Sequence, residues 1–131
     1  MIVTPLYAGV LAVLFILLGL RVIQVRQKGI PIGDGGDPQM LRVIRGHGNF
    51  AEYVPLALLM MALLELGRTS AWLLHALGIA LLVSRLLHGY ALSYMQRFRF
   101  GRVWGTTLTF IVLAVEAVLC IGQGVKGMFL G

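Results

Sequence analysis

A run of polar side chains leads directly into an apolar stretch in the middle of the chain. Residues 42–53 read RVIRGHGNFAEY, and they are followed by VPLALLMMALL. Guanidinium groups fork onto carboxylates, an amide pairs with peptide groups, and a glutamate accepts from an amine. Five of these side chains share one face of an ideal helix, within an arc of about 100°: Arg42, Arg45, Asn49, Glu52 and Tyr53. This polar stripe predicts a site for a small zwitterion with several carboxylates.

A second group of polar residues lies about forty positions further along the chain. Tyr90, Tyr94 and Arg97 are spaced at i, i+4 and i+7, so a helix brings them within about 60° of one another. A phenol and a guanidinium are both hydrogen-bond donors to an anion. We therefore treat this face as a second candidate contact for the same ligand.

Composition decides what kind of element carries these residues. The chain has 131 residues, of which 59% are hydrophobic and 12% charged, whereas soluble domains are about 25% charged. This length holds about four spans of roughly 20 residues each. We predict an integral membrane protein of all-α class, a single four-helix bundle over residues 1–131. Because a charge in hydrocarbon costs roughly 2.5–3.5 kcal/mol, the polar stripe is expected to face protein.

Four helices are predicted at residues 4–25, 39–66, 70–96 and 104–122. The second begins after a possible cap at Asp37 and includes the polar stripe, because residues 54–64 alone are too short to span a bilayer. The sequence FRFGR before Trp104 is interpreted as a short basic connection.

The net charge of +6 does not indicate nucleic-acid binding, because the basic residues never form a run interleaved with aromatics. Lys and Arg cluster at the first and third connections, which predicts that these are cytoplasmic and that both termini lie outside. Cys120 is the only cysteine, which excludes an intrachain disulfide. The histidines lack carboxylates at metal-ligand spacing, so we propose no metal.

Two segments carry a resemblance to a known family. The stretch RGHGNFAEYVPL at residues 45–56 and the stretch HGYALSYMQR at residues 88–97, with four spans and this length, resemble the MAPEG family. Its members are membrane-associated proteins of eicosanoid and glutathione metabolism. The GDGG stretch at residues 33–36 and the wording IRGHGN look most like the bacterial members of unassigned role, which implies a bacterial inner membrane.

The resemblance implies a homotrimer in which glutathione, as co-substrate, is held at each subunit boundary. It implies glutathione transferase or peroxidase activity on a lipophilic small molecule or lipid. Arg97 matches the arginine of leukotriene C4 synthase that is thought to stabilise the glutathione thiolate, so it is the predicted catalytic residue. The positions predicted to hold glutathione are Arg26, Arg45, His47, Asn49, Glu52, Tyr53, Tyr90 and Tyr94.

Two positions depart from the family pattern. Gln27 stands where leukotriene C4 synthase has a second arginine, and Leu86 replaces an aromatic residue or histidine of the pocket. These departures suggest one alternative, a non-catalytic lipid-binding or scaffolding member. Two further alternatives remain open: a proton-coupled exporter that uses Glu52, and a polar stripe that only fixes helix packing. His47 lies roughly opposite the polar stripe, so a surface role is equally consistent with its position.

We also expect Arg85 and Glu116, isolated charges on different helices, to pair across the bundle.

Overall fold

Four α-helices form the described part of the chain, which in this computed structural model comprises residues 2–95 and 99–130. They are α1 (Val3–Arg26), α2 (Pro38–Leu66), α3 (Ala71–Tyr94) and α4 (Arg99–Leu130). Each helix is long and apolar enough to cross a membrane. The predicted all-α membrane fold with four spans is confirmed.

α1 and α2 begin and end within one residue of the predicted positions. α3 begins one residue later than predicted and ends at Tyr94, and its predicted end at residue 96 lies outside the described residues. The largest difference is in α4. This helix begins at Arg99 rather than Trp104 and continues to Leu130 rather than Gly122. The FRFGR segment is therefore only in part a connection, since Arg99, Gly101 and Arg102 lie within α4. No proline follows Pro55, so no residue of the extended part lacks the backbone N–H that the helix needs.

The helices run alternately up and down, with α2 and α3 in contact at the centre. α1 and α4 each pack against both central helices, and the described residues show no α1–α4 packing. One end of the bundle gathers the last turns of α1 and α3 and the first turns of α2 and α4; we call it the basic end. There, Arg21 Nε of α1 donates to the Ser93 carbonyl of α3 at 3.4 Å.

An apolar core runs through the middle of the bundle. Leu11, Met61, Leu64 and Leu81 are completely excluded from solvent, and they come from three different helices. α4 contributes Val112 to the same cluster. Burial of such side chains contributes about 1.5–3 kcal/mol each, as an upper estimate, so this core fixes the relative positions of the polar residues above it.

At each end of the bundle a carboxylate accepts hydrogen bonds from the first backbone N–H groups of a helix. Asp37 accepts from the backbone N–H of Gln39 at 2.6 Å and of Met40 at 2.9 Å, which confirms the predicted cap of α2. The Met40 N–H contributes most to holding the pKa of Asp37 below its ordinary value. At the opposite end, Glu65 of α2 accepts from the first backbone N–H groups of α1, at 2.8 Å from both Val3 and Thr4.

A glycine permits α3 and α4 to approach closely near the basic end. A Cβ placed on Gly105 of α4 would lie 2.8 Å from the Ser84 carbonyl oxygen and 2.8 Å from His88 Cβ of α3. Such distances leave no room for a side chain. The close approach brings Arg102 and Thr106, on either side of Gly105, against the last turns of α3.

Candidate functional site

A cleft of about 390 Å³ lies at the basic end, between α2, α3 and α4. Two leucines and five polar side chains line it, the polar ones being Arg42, Arg45, Asn49, His88 and Arg102. We call it the α2 cleft. Three guanidinium groups in one cleft make it electropositive, so it is suited to a ligand with carboxylates.

Helical spacing places three of the predicted residues in the α2 cleft. Arg42, Arg45 and Asn49 are separated by three and four positions of α2, which puts them on one face of the helix. The structure thus brings together the first part of the polar stripe as expected. The second part, with Glu52 and Tyr53, does not line this cleft.

Glu52 remains linked to the cleft through Arg45. Arg45 Nη1 lies 3.6 Å from Glu52 Oε1, and both side chains are about half exposed, at 58% and 49%. Glu52 lies near the midpoint of α2, so this exposed carboxylate is at membrane depth. Tyr53 turns instead toward α4, where its ring meets Phe110 edge to face at a centroid distance of 5.3 Å.

Behind the α2 cleft lies a buried arginine. Arg85 of α3 is only 1% exposed, and its Nη1 donates to Asn49 Oδ1 at 2.9 Å. Its Nη2 donates to the Gly105 carbonyl at 3.2 Å and to the Thr109 hydroxyl. Since Asn49 Oδ1 is occupied, the amide nitrogen is the group that Asn49 offers to the cleft.

The expected pairing of Arg85 with Glu116 was wrong. Arg85 is satisfied by Asn49, Gly105 and Thr109, whereas both carboxyl oxygens of the buried Glu116 have no hydrogen-bond partner among the described residues. Arg85 meets α4 at Gly105 and Thr109, and Glu116 lies seven residues beyond Thr109 on the same helix. This separation is roughly 10 Å along the helix axis, which is too far for an ion pair.

A second cleft, of about 480 Å³, adjoins the first between α3 and the start of α4. Its lining comprises His88, Arg99, Arg102, Val103, Thr106 and Thr107. We call it the α3–α4 cleft. His88 Nδ1 lies 3.2 Å from the Thr106 hydroxyl, while His88 Nε2 is buried without a hydrogen-bond partner among the described residues.

The two predicted tyrosines lie on another surface of the subunit. Tyr90 and Tyr94 are 53% and 61% exposed, and their rings are 5.5 Å apart. The Arg21 guanidinium lies 4.8 Å above the Tyr94 ring. This tyrosine surface, formed by Arg21, Tyr90 and Tyr94, does not line the α2 cleft within one subunit.

Arg26 and His47 lie on the α1 side of the bundle. Arg26 Nη1 donates to the carbonyls of Ile30 and Gly33, at 3.3 and 3.2 Å, and so holds the first connection. The His47 ring stacks on Phe15 at a centroid distance of 4.3 Å. Neither side chain lines the α2 cleft. Arg97, the predicted catalytic residue, lies outside the described residues.

Sequence reasoning missed Arg99, Arg102 and His88 as site residues. The two arginines were assigned to a connection because α4 was predicted to begin at Trp104. The spacing of Arg99, Arg102 and Thr106 at i, i+3 and i+7 is a helical signal that could have identified one face of α4.

An apolar groove of about 260 Å³ lies between α1 and α2, on the side away from the arginines. Phe15, Phe50 and Pro55 are among its lining residues. Phe15 also stacks on His47, so the His47 ring lies next to the groove.

Comparison with known proteins agrees with this architecture. The family model described as MAPEG family matches residues 4–122. The chain is 37% identical to Inner membrane protein YecN of Escherichia coli strain K12 over 101 residues. This aligned segment covers 76% of each chain. The protein of the same name in E. coli O6:H1 matches equally, with 37% identity over 101 residues. These matches, with the four spanning helices, confirm the predicted integral membrane localisation of a bacterial member.

Proposed function

Because the chain belongs to the MAPEG family, we propose that it binds glutathione in the α2 cleft and joins the glutathione sulfur to lipophilic electrophiles. The observation that carries the proposal is the convergence of Arg42, Arg45 and Asn49 in one electropositive cleft. Glutathione has two carboxylates, peptide carbonyls and one ammonium group. The arginines and the Asn49 amide nitrogen are donors for the first two, and Glu52, beside Arg45, is an acceptor for the ammonium.

The proposal includes a homotrimer with composite sites. Glu52 and Arg45 are half exposed on a single subunit, although hydrocarbon contact with either charge costs roughly 2.5–3.5 kcal/mol. A neighbouring subunit covering this face removes that cost. The tyrosine surface and the pair Arg26 and His47 lie on other sides of the bundle, so they reach glutathione only from an adjoining subunit.

The chemistry of the proposed reaction is nucleophilic substitution or addition by sulfur. A free thiol has a pKa near 8.5, and a nearby guanidinium raises its thiolate fraction at neutral pH. Arg97 takes this role in the proposal. In substitution the thiolate forms a carbon–sulfur bond and the leaving group departs with its electron pair; in addition to an activated double bond, the displaced electron pair takes up a proton. The apolar groove between α1 and α2 supplies a surface for the lipophilic electrophile.

The exporter alternative has less support. A proton-coupled carboxylate binds lipophilic cations best when no other cation neutralises it. Glu52 already lies 3.6 Å from the Arg45 guanidinium, and Arg42 and Arg102 line the adjoining cleft. These positive charges repel a cationic substrate and favour an anionic one.

Calorimetric titration of the purified protein with glutathione tests the proposal. Arg45→Gln is expected to weaken binding about tenfold or more, because it removes a charge-assisted hydrogen bond. Arg68→Gln, in the exposed turn between α2 and α3, is the matched control and is expected to bind like the wild type. The proposal fails if the wild type neither binds glutathione nor couples it to a chromogenic aryl halide.

A further inference from the structure

The α3–α4 cleft is electropositive beyond what the glutathione proposal uses. Arg99, Val103, Thr106 and Thr107 line this cleft alone, while His88 and Arg102 are shared with the α2 cleft. From this arrangement we propose that the α3–α4 cleft binds the phosphodiester headgroup of an anionic phospholipid.

The positive charge around the cleft has no protein counter-charge. Among the described residues the single ion pair joins Arg45 to Glu52, and it involves neither Arg99 nor Arg102. Buried Arg85 lies behind the two clefts, and all of its hydrogen-bond acceptors there are neutral oxygens. Arginine forks match the geometry of phosphate oxygens, so a phosphodiester supplies the missing negative charge.

A buried histidine nitrogen gives independent evidence of a ligand. His88 is only 7% exposed, and its Nε2 is without a hydrogen-bond partner among the described residues. Nδ1 lies 3.2 Å from the Thr106 hydroxyl and 3.5 Å from the Arg102 carbonyl oxygen, so Nε2 is the ring nitrogen left for a ligand. Buried polar atoms nearly always have a hydrogen-bond partner in native proteins, and a headgroup in the cleft supplies that partner.

The position of the cleft favours a lipid over a soluble phosphate. It lies at the start of a spanning helix, and its wall includes Val103, which is 57% exposed. The next residue, Trp104, is 53% exposed, and tryptophan is enriched where spanning helices meet the headgroup layer. Basic pockets between spanning helices hold anionic headgroups in this layer, with the acyl chains along the apolar face of α4.

Titration in nonionic detergent with short-chain phosphatidylglycerol, phosphatidylcholine or inorganic phosphate tests the proposal. The wild type is expected to bind phosphatidylglycerol in preference to phosphatidylcholine. Arg99→Gln is expected to weaken that binding about tenfold. Lys126→Gln, an exposed charge near the other end of α4, is the matched control and is expected to change nothing. Trp104 fluorescence in a Trp72→Phe background reports occupancy.

The outcomes separate this site from glutathione binding. Arg99→Gln is expected to retain glutathione affinity, and Arg45→Gln is expected to retain phosphatidylglycerol affinity. Equal binding of phosphatidylglycerol by the wild type and Arg99→Gln overturns the proposal. Binding of inorganic phosphate without phosphatidylglycerol overturns the lipid assignment. If the wild type does not bind glutathione, the measured preference for phosphatidylglycerol still stands, because the two ligands are titrated separately.

Discussion

Arg85 Nη1 donates to Asn49 Oδ1 at 2.9 Å, and this bond joins the buried centre of the bundle to the α2 cleft. The guanidinium is buried, whereas Asn49 is only partly so. The bond holds the Asn49 carbonyl toward Arg85, and thereby leaves the amide nitrogen as the donor to the cleft. The α2 cleft consequently offers mainly hydrogen-bond donors, which are the groups that the proposed glutathione ligand requires.

Replacing Asn49 separates its structural role from its binding role. Asn49→Asp keeps an acceptor for Arg85, so thermal stability is expected to be retained. It removes the amide donor and adds a negative charge, so glutathione binding is expected to weaken tenfold or more. Calorimetry and the midpoint of thermal unfolding measure both quantities.

Asn49→Leu is the companion variant. It leaves Arg85 Nη1 without an acceptor, which is expected to destabilise the protein by about 1–3 kcal/mol. Wild-type glutathione affinity in Asn49→Asp would contradict the donor role of the amide.

The close approach of α3 and α4 at Gly105 is expected to tolerate no side chain. In Gly105→Ala the new methyl group meets the Ser84 carbonyl and His88 Cβ, both at 2.8 Å, so the helices must separate at a cost of about 1–3 kcal/mol. Gly122→Ala is the control on the same helix, since a Cβ there has nothing within 4 Å. A lower unfolding midpoint for Gly122→Ala than for Gly105→Ala would contradict this packing.

The charge of Asp37 is expected to make stability depend on pH. Its pKa is lowered in the folded protein, so its stabilising effect is present above the unfolded value of about 3.9 and is lost as the pH falls through the folded value. Asp37→Asn retains an acceptor for the cap but carries no charge. The variant is expected to lose this part of the pH dependence, as measured by unfolding midpoints from neutral to acidic pH. An unchanged acid profile would show that Asp37 does not contribute it.

Arg97 is expected to act on sulfur ionisation rather than on binding. In Arg97→Ala the thiol of bound glutathione returns toward its ordinary pKa near 8.5, so the rate at neutral pH falls and recovers as the pH is raised. Glutathione affinity is expected to stay close to that of the wild type. Rates with an aryl halide across a pH series measure the effect, with Arg68→Ala as control. A profile parallel to the wild type at all pH values would exclude this role.

The sequence was sufficient for the fold because membrane helices leave a strong local signal. Long apolar runs located the spans, and the cap at Asp37 and the spacing of Arg42, Arg45 and Asn49 followed from local helix chemistry. The end of α4 was different. The predicted helix ended at residue 122, whereas α4 continues to Leu130. Most of the added residues are exposed, so no apolar periodicity marks where the helix ends.

The candidate site was only partly predictable because it depends on contacts between helices. The wheel placed Glu52 and Tyr53 with Arg45, yet Tyr53 packs against Phe110 of α4. Arg85 was expected to form an ion pair with Glu116, but it donates a hydrogen bond to Asn49 instead. Which of several polar groups meets a given side chain is decided by the rotation of each helix about its axis, and periodicity alone does not determine that rotation.

The most direct test of the central claim is an experimental structure of the detergent-solubilised protein with glutathione. We expect a trimer in which the tripeptide contacts Arg45 and Asn49 in the α2 cleft of one subunit and the tyrosine surface, Arg26 or His47 of its neighbour. An empty α2 cleft at saturating glutathione, or an assembly in which Arg45 and Glu52 contact acyl chains, would contradict it.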